Sequence, residues 1–460
     1  MRLKLLLMLV FFAFLVSCSD PSEPYDGVSS GGGNGSSNGS SGGSSAGSSG
    51  GSSAGSNDVA VIDCQATSDA LDRTRADLGL GNVILVKYNN GSAPTIDNPN
   101  ANEVTVSVTG ENVVVTVSSS TLTTYNFVVS GATTNGSLKI YGEFRIGIYL
   151  NGVKITNPRG PAINIQNGKR IGVNLVGGTE NFIADASGYS TSENEQEQAK
   201  GTFFSEGQLV FSGSGYLGVR GKNAHAIISD DHINIESGCI AVTEAERDGI
   251  HANDDITISG GIINITSKGD AIQSERLAVI VSGGQITAKT SGIKSHGIVS
   301  GDSTAKNTPR NGRTSIKDNA KIDITVNGNG SKGINSAGYT EILGGTINIQ
   351  VNGGRHIETS PRDTSNAAGI KSDDDVWIEG GNLTIKSPGN FARGIKADLN
   401  FIMTGGTINI DADDDGIKAD GNLDVRGGSG TVKSKRTTAL DCATGKTCNK
   451  GSLVTTDGGF

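Results

Sequence analysis

Residues 369–381 read GIKSDDDVWIEGG, residues 394–406 read GIKADLNFIMTGG, and residues 411–428 read DADDDGIKADGNLDVRGG. Each writes Gly-Ile-Lys-small-Asp at about the same distance ahead of a Gly-Gly. Aligning the aliphatic residue of each such segment, or its equivalent, gives a column of Ile163, Phe204, Ile227, Ile250, Ile272, Ile293, Ile334, Ile370, Ile395, Ile417 and Leu440. The steps are 41, 23, 23, 22, 21, 41, 36, 25, 22 and 23 residues. A turn is therefore about 22 residues, and the three long steps are a turn plus an insertion. Gly-Gly recurs in phase at 260, 283, 344, 380, 405 and 427, followed by x-hydrophobic-x-hydrophobic.

Each turn then holds three short strands: GI-x-A/S, D-hydrophobic-x-hydrophobic (DITIS, DVWIE), and the segment after Gly-Gly. All alternate with period two, which buries one face. Strands this short, with Gly and Asn at the corners, cover their apolar faces only by stacking turn on turn. The pattern predicts an all-β fold, a right-handed parallel β-helix of about eleven rungs over residues 138–460 with a C-terminal cap. At roughly 4.8 Å per rung the core would be on the order of 50 Å long. Residues 58–137 read as an N-terminal cap and first rungs, with a helical stretch expected at 64–79.

The ends bound the setting. MRLKLLLMLVFFAFLVSC (1–18) has a basic start, a short apolar run and a lipobox ending at Cys18, so a lipoprotein signal with Cys18 as the acylated residue is expected. Residues 19–57 are a flexible linker, of which 29–56, almost wholly Gly, Ser and Asn, have a mean reach of roughly 30 Å. Secretion, anchoring to the membrane through the N-terminal lipid only, and display at an outer-membrane cell surface follow as expectations. The formal charge is −9, and about −11 without Arg2 and Lys4, which argues against nucleic acid and anionic lipid as partners. Cys442 and Cys448, close in sequence, are expected to form a disulfide; whether Cys64 pairs with Cys239 is left open. A monomer is expected.

In the first strand, the residues one and three after the core position point outward. These pairs are His251/Asn253, Gln273/Glu275, Lys294/His296, Lys371/Asp373, Lys396/Asp398 and Lys418/Asp420. The bland account is a ladder of surface ion pairs, each contributing about 0–1 kcal/mol. It does not explain why the insertions (185–200, 297–312 and 352–367) all border this sheet, and long loops beside a rigid scaffold carry function. Lys294, Lys371, Asp373, Lys396, Asp398, Lys418 and Asp420 are accordingly the candidate binding residues, with the single tryptophan, Trp377, as a candidate sugar-stacking platform predicted to neighbour Ile402. The run DADDDG places Asp411, Asp413, Asp414 and Asp415 on one tight turn; with Asp373, Asp398 and Asp420 they are the candidate Ca²⁺ ligands. Asn422 at the twelfth position and the flanking strands exclude an EF-hand.

LNGVKITNPRGPAINIQNGKRIGVNLVGGTENFIADA (150–186), GQLVFSGSGYLGV (207–219) and the GIKSD/GIKAD turns resemble the bacterial carbohydrate-binding, polysaccharide-lyase-like parallel β-helix family over roughly residues 80–440. The resemblance implies a secreted or surface-attached protein that binds Ca²⁺ and plant cell-wall polymers, acidic pectic chains and cellulose among them. GIKSH (292–296) and GINSA (333–337) lack the aspartate of the pattern. Three readings compete: a non-catalytic binding module, a calcium-dependent lyase with Lys371, Lys396 or Lys418 as base, and a structural adhesin or spacer. Each of these lysines has an aspartate beside it that should raise its pKa, and no arginine follows the same rhythm to neutralise a uronate. Binding is the reading the residues favour.

Overall fold

The computed structural model describes residues 79–118, 120, 122–189, 199–301 and 312–458. The expected signal, tether, Cys18, Cys64 and all but the last residue of the expected 64–79 helix lie outside the described residues. Within them every regular element is a strand, arranged as a parallel β-solenoid of about 13 turns.

One ladder holds the first strand of each turn. It opens with Val104–Thr109 antiparallel to Glu111–Val117, then runs parallel to Leu440–Cys442. Its core column reads Val113, Leu138, Ile163, Phe203, Ile227, Ile250, Ile272, Ile298, Ile334, Ile370, Ile395, Ile417 and Leu440, each paired in register with the next. Two rungs, at Val113 and Leu138, precede those counted from the sequence. The second and third strands form ladders of their own, such as Ile256–Ile258 on Ala278–Val281 and Ile262–Ser267 on Gln285–Thr290.

Two expected core positions are corrected. Phe203, not Phe204, lies in the column, because Ser205 is the small inward residue two positions on. Ile298 replaces Ile293, which is 61% exposed. The reason is the length of the corner. The third strand ends at Thr290, so a core residue at 293 would leave two residues to turn the chain. Elsewhere the corner has at least four, as between Ser267 and Ile272. GIVS (297–300) supplies the same GI-x-S pattern five residues later, after Lys294 has taken a left-handed φ of 55°.

The Gly-Gly corners explain themselves by contact. At Gly381, φ is +77° and a Cβ would lie 2.6 Å from the Gly344 carbonyl oxygen of the neighbouring turn. Along the corner between first and second strands, buried hydroxyls satisfy one another in a chain. Ser300 meets Thr314 at 2.9 Å, Ser336 meets Thr314 at 2.8 Å and Thr340 at 2.9 Å, and Thr340 meets Ser372 at 2.6 Å. The 352–367 insertion forms an antiparallel hairpin, His356–Thr359 with Arg362–Ser365, beside the first-strand sheet.

Candidate functional site

The register of the first-strand sheet lines up three outward columns. The residue after each core position gives His251, Gln273, Val299, Asn335, Lys371, Lys396 and Lys418 in order. The residue three after it gives Asn253, Glu275, Asp373, Asp398 and Asp420 among others. The residue two before it gives His225, Asp248, Asp270, His296, Lys332, Ala368 and Arg393, tied rung to rung by backbone hydrogen bonds and strand pairing. Three concavities follow these columns: a cleft of about 650 Å³ around His225, Asp248 and His251; one of about 460 Å³ around Asp270, His296 and Asn335; and one of about 490 Å³ around Lys332, Arg355, Lys371, Arg393 and Lys396. The first two share Gln273 and Glu275.

The lysines form a zipper. Lys371 Nζ lies 2.6 Å from Asp373 and 2.7 Å from Asp398, and Lys396 Nζ lies 3.1 Å from Asp398 and 2.6 Å from Asp420. Lys418 pairs with Asp441 and lies 3.6 Å from Asp415. Each lysine thus bridges carboxylates of adjacent rungs, which offsets the repulsion that stacking would impose. Lys396, with its side chain 9% exposed, is a buried strut. Burial pushes Asp398 upward, but hydrogen bonds from Lys371 and then Lys396 outweigh it and hold its carboxyl below the usual 3.8. A depressed folded pKa contributes stability above the unfolded value and loses it as pH falls through the folded one. The denaturation midpoint should therefore drop as the solution is acidified below about pH 4. Asp398→Asn should blunt that drop; an unchanged acid limb would show that the zipper carries no stability.

Lys332 and Arg355 differ from these lysines: neither makes an ion pair among the described residues. Lys332 Nζ donates to Ser365 Oγ at 2.7 Å. Arg355 donates to Asn366 Oδ1 at 2.8 Å and stacks on the Phe391 ring at 3.7 Å. Burial first, then the charges of Lys371 and Lys294, bring Lys332 down to about 8. The hairpin supplies Arg355, Thr364, Ser365 and Asn366 to this pocket. Arg393, on the same strand as Lys396, lies 3.3 Å from Asp414 and 3.4 Å from Asp415. Arginines therefore do reach the lysine row, one through a loop and one from the column two before the core.

The upstream half is acidic and imidazole-rich. Asp248 Oδ2 lies 3.1 Å from His225 Nδ1 and 2.9 Å from His251 Nδ1, all three residues being buried. Burial would raise Asp248, but the bonds from His225 and His251 hold it below the ordinary carboxylate range. Burial lowers His225. Asp270, buried beside the Asp248 charge, is pushed up to about 8. His296, buried and near Lys332, is pushed down to about 3.

Other expected site residues fall elsewhere. Lys294 belongs to the turn before its strand and pairs with Glu358 of the hairpin, with Asp363 3.8 Å away. Trp377 does neighbour Ile402, but it stands in the second-strand ladder, partly buried against Tyr339 with ring centroids 5.6 Å apart, and lines none of the three concavities. The acidic run does not present a calcium shell. Asp413 accepts from the Phe391 amide and Arg436, Asp414 and Asp415 face Arg393, and exposed Asp411 lies 3.8 Å from Lys435. Carboxylates already neutralised by guanidinium groups and pointing to different partners do not fit a hard cation that needs 6–8 converging oxygens. Cys442 and Cys448 are free thiols, not the expected disulfide. They are close enough for burial, then a hydrogen bond with Cys442, to push Cys448 up to about 12. Cys239 is disulfide-bonded.

The column two before the core was missed in the sequence. Its signal was present, since aligning on the core positions also aligns 225, 248, 270 and 393, but the misplaced rung at 293 hid His296 and broke the run before Lys332.

A family description of carbohydrate-binding domain-containing proteins matches residues 109–277 and 388–460. A carbohydrate-binding domain-containing protein of Acetivibrio thermocellus is 30% identical over 118 residues, 25% of this chain and 41% of that protein, so the chain spans less than half of this relative's length. A solved structure of a polysaccharide lyase-like protein from C. thermocellum, a gadolinium derivative, superposes with a TM-score of 0.38 at 18% identity, over 80% of this chain and 99% of that one.

Proposed function

The chain belongs to the carbohydrate-binding domain-containing family, and from that premise we propose that it is a non-catalytic module binding acidic, pectin-like polysaccharide along its first-strand face. One observation carries the reading: Lys332 and Arg355 line a 490 Å³ pocket without a direct ion pair among the described residues, whereas Lys371, Lys396 and Lys418 are committed to aspartates. Two cations without a direct ion pair among the described residues, on a protein of net charge −9, suit the carboxylate of a uronate, and the hydroxyls and amide of Thr364, Ser365 and Asn366 suit its ring hydroxyls. A row of concavities along a rigid sheet suits a linear chain. The test is co-sedimentation and calorimetry of the purified protein with polygalacturonate, with neutral cellulose beside it. Binding to polygalacturonate only is expected; equal affinity for both, or for neither, would sink the acidic-polymer reading.

A second reading rests on Lys332. A lysine at about 8 is partly neutral near neutral pH and so able to abstract a proton, where Arg355 neutralises the uronate carboxylate. Absorbance of unsaturated product in the same assay would move the protein to the lyase class. We also propose that Cys18 is acylated and holds the module at the cell surface through the 19–57 tether. Labelled fatty acid should enter the wild type and not Cys18→Ala; equal labelling would end the idea.

A further inference from the structure

We propose that His225, Asp248 and His251 form a binding site for a borderline divalent transition-metal ion of the Zn²⁺ type, on the floor of the upstream cleft and distinct from any calcium site. His225 precedes the core residue of one rung by two positions, Asp248 does the same on the next, and His251 follows the core residue of that second rung by one. The solenoid thus brings two imidazoles and a carboxylate from two turns within 4.8 Å of one another. The contacts of 3.1 Å and 2.9 Å between the Nδ1 atoms and Asp248 Oδ2 match the spacing of neighbouring ligands on one ion. Bonds of about 2.0–2.1 Å at tetrahedral to right angles place ligand atoms roughly 2.8–3.4 Å apart.

The hydrogen bonding at this point also makes two opposed demands on one nitrogen. The Asp248 amide donates to His225 Nδ1 at 3.3 Å, which requires a lone pair on that nitrogen. The same nitrogen faces Asp248 Oδ2 at 3.1 Å, an acceptor. A proton on Nδ1 serves the carboxylate and opposes the amide; no proton does the reverse. An ion between nitrogen and oxygen would take a lone pair of each in place of that proton, and the Asp248 amide would then lose its imidazole acceptor. Around it, Gln273 with its amide nitrogen turned inward donates to Asp248 Oδ2 at 2.8 Å and to Asp270 Oδ2 at 3.3 Å, and Asp248 Oδ1 accepts the Asp270 amide at 2.8 Å. Such outer partners fix a ligating carboxylate. Two imidazoles and one carboxylate select zinc, iron, nickel or copper over calcium or magnesium. All three residues line the 650 Å³ cleft, so a coordination position is left to solvent or to a hydroxyl of a bound ligand, as three-ligand sites do.

The test uses the purified protein, stripped with chelator and titrated with Zn²⁺, with Co²⁺ as the spectroscopic probe. One equivalent should bind, Co²⁺ should show ligand-field absorption, and Zn²⁺ should abolish it. His225→Ala and His251→Ala should each weaken binding by more than the roughly 10–100-fold expected of an outer partner such as Gln273→Leu. His251→Gln, which preserves hydrogen bonding, guards against a folding defect, with unchanged metal-free circular dichroism as the criterion. His232→Ala, in the more exposed Asp231/His232/Asp254 group, and Cys442→Ser/Cys448→Ser should leave the equivalent in place. Absence of binding, survival of the equivalent in His225→Ala/His251→Ala, or its loss only in the thiol or His232 variants would overturn the site.

Discussion

Replacing Ile298 by aspartate is expected to cost at least about 4 kcal/mol, while the same replacement at Ile293, five residues away, shifts stability by no more than about 0.5 kcal/mol. Ile298 is fully buried between Ile272 and Ile334 in the hydrophobic core, where an unpaired carboxylate is costly. Ile293 is mostly in solvent. Because each rung contacts only its neighbours, the defect also severs the stack. The urea midpoint of the two variants against wild type is the measurement, with Ile298→Ala, at about 2–5 kcal/mol, as the pure cavity reference. Similar midpoints for the two aspartates would put the register in error by one corner, and with it every outward column from Lys294 to Asn335.

Lys332→Met/Arg355→Ala is expected to weaken polygalacturonate binding at least a hundredfold. Hydrogen bonds to charged groups contribute about 1.5–3 kcal/mol each, and 1.4 kcal/mol is tenfold. The loss should shrink at high salt, since both cations open to a solvent-filled pocket. A pH signature separates this site from a general attraction. Lys332 faces the positive charges of Lys371 and Lys294 and the negative charges of Asp373 and Asp270, with Arg355 and Lys396 lining the same pocket. The balance and its burial leave its folded pKa near 8, below the unfolded 10.5. Binding an anion needs the protonated form, so affinity should fall as pH rises through about 8, while the fold itself gains stability between about 8 and 10.5 as the unfolded chain binds the extra proton. Lys332→Arg should keep affinity and lose the pH dependence. A double variant within twofold of wild type would place the polymer elsewhere and leave the metal cleft untouched as a separate question.

How much of this was legible in the sequence differs from residue to residue. Period and Gly-Gly phase carried the parallel solenoid, the burial of Ile250, Ile272, Ile370, Ile395 and Ile417, and the adjacency of Trp377 and Ile402, because a strand repeat fixes which side chain lies above which. The Lys371–Asp398 and Lys396–Asp420 ion pairs followed from the same rule, one rung apart. The corner at 291–297 did not, because two GI-x-S candidates satisfied the period and only the length needed to turn the chain chose between them. Nor did the ion pairing of the acidic run, since Arg393 and Arg436 reach it from neighbouring turns.

Chemistry assembled across turns was decided by the tertiary structure. The Lys332–Arg355 pocket joins a rung residue to an insertion hairpin, and the His225–Asp248–His251 cluster joins two rungs. The sequence determined the stacking, because hydrophobic burial needs only periodicity. It did not determine which polar groups lost their partners, because that depends on what each loop brings within a few ångströms of a given rung.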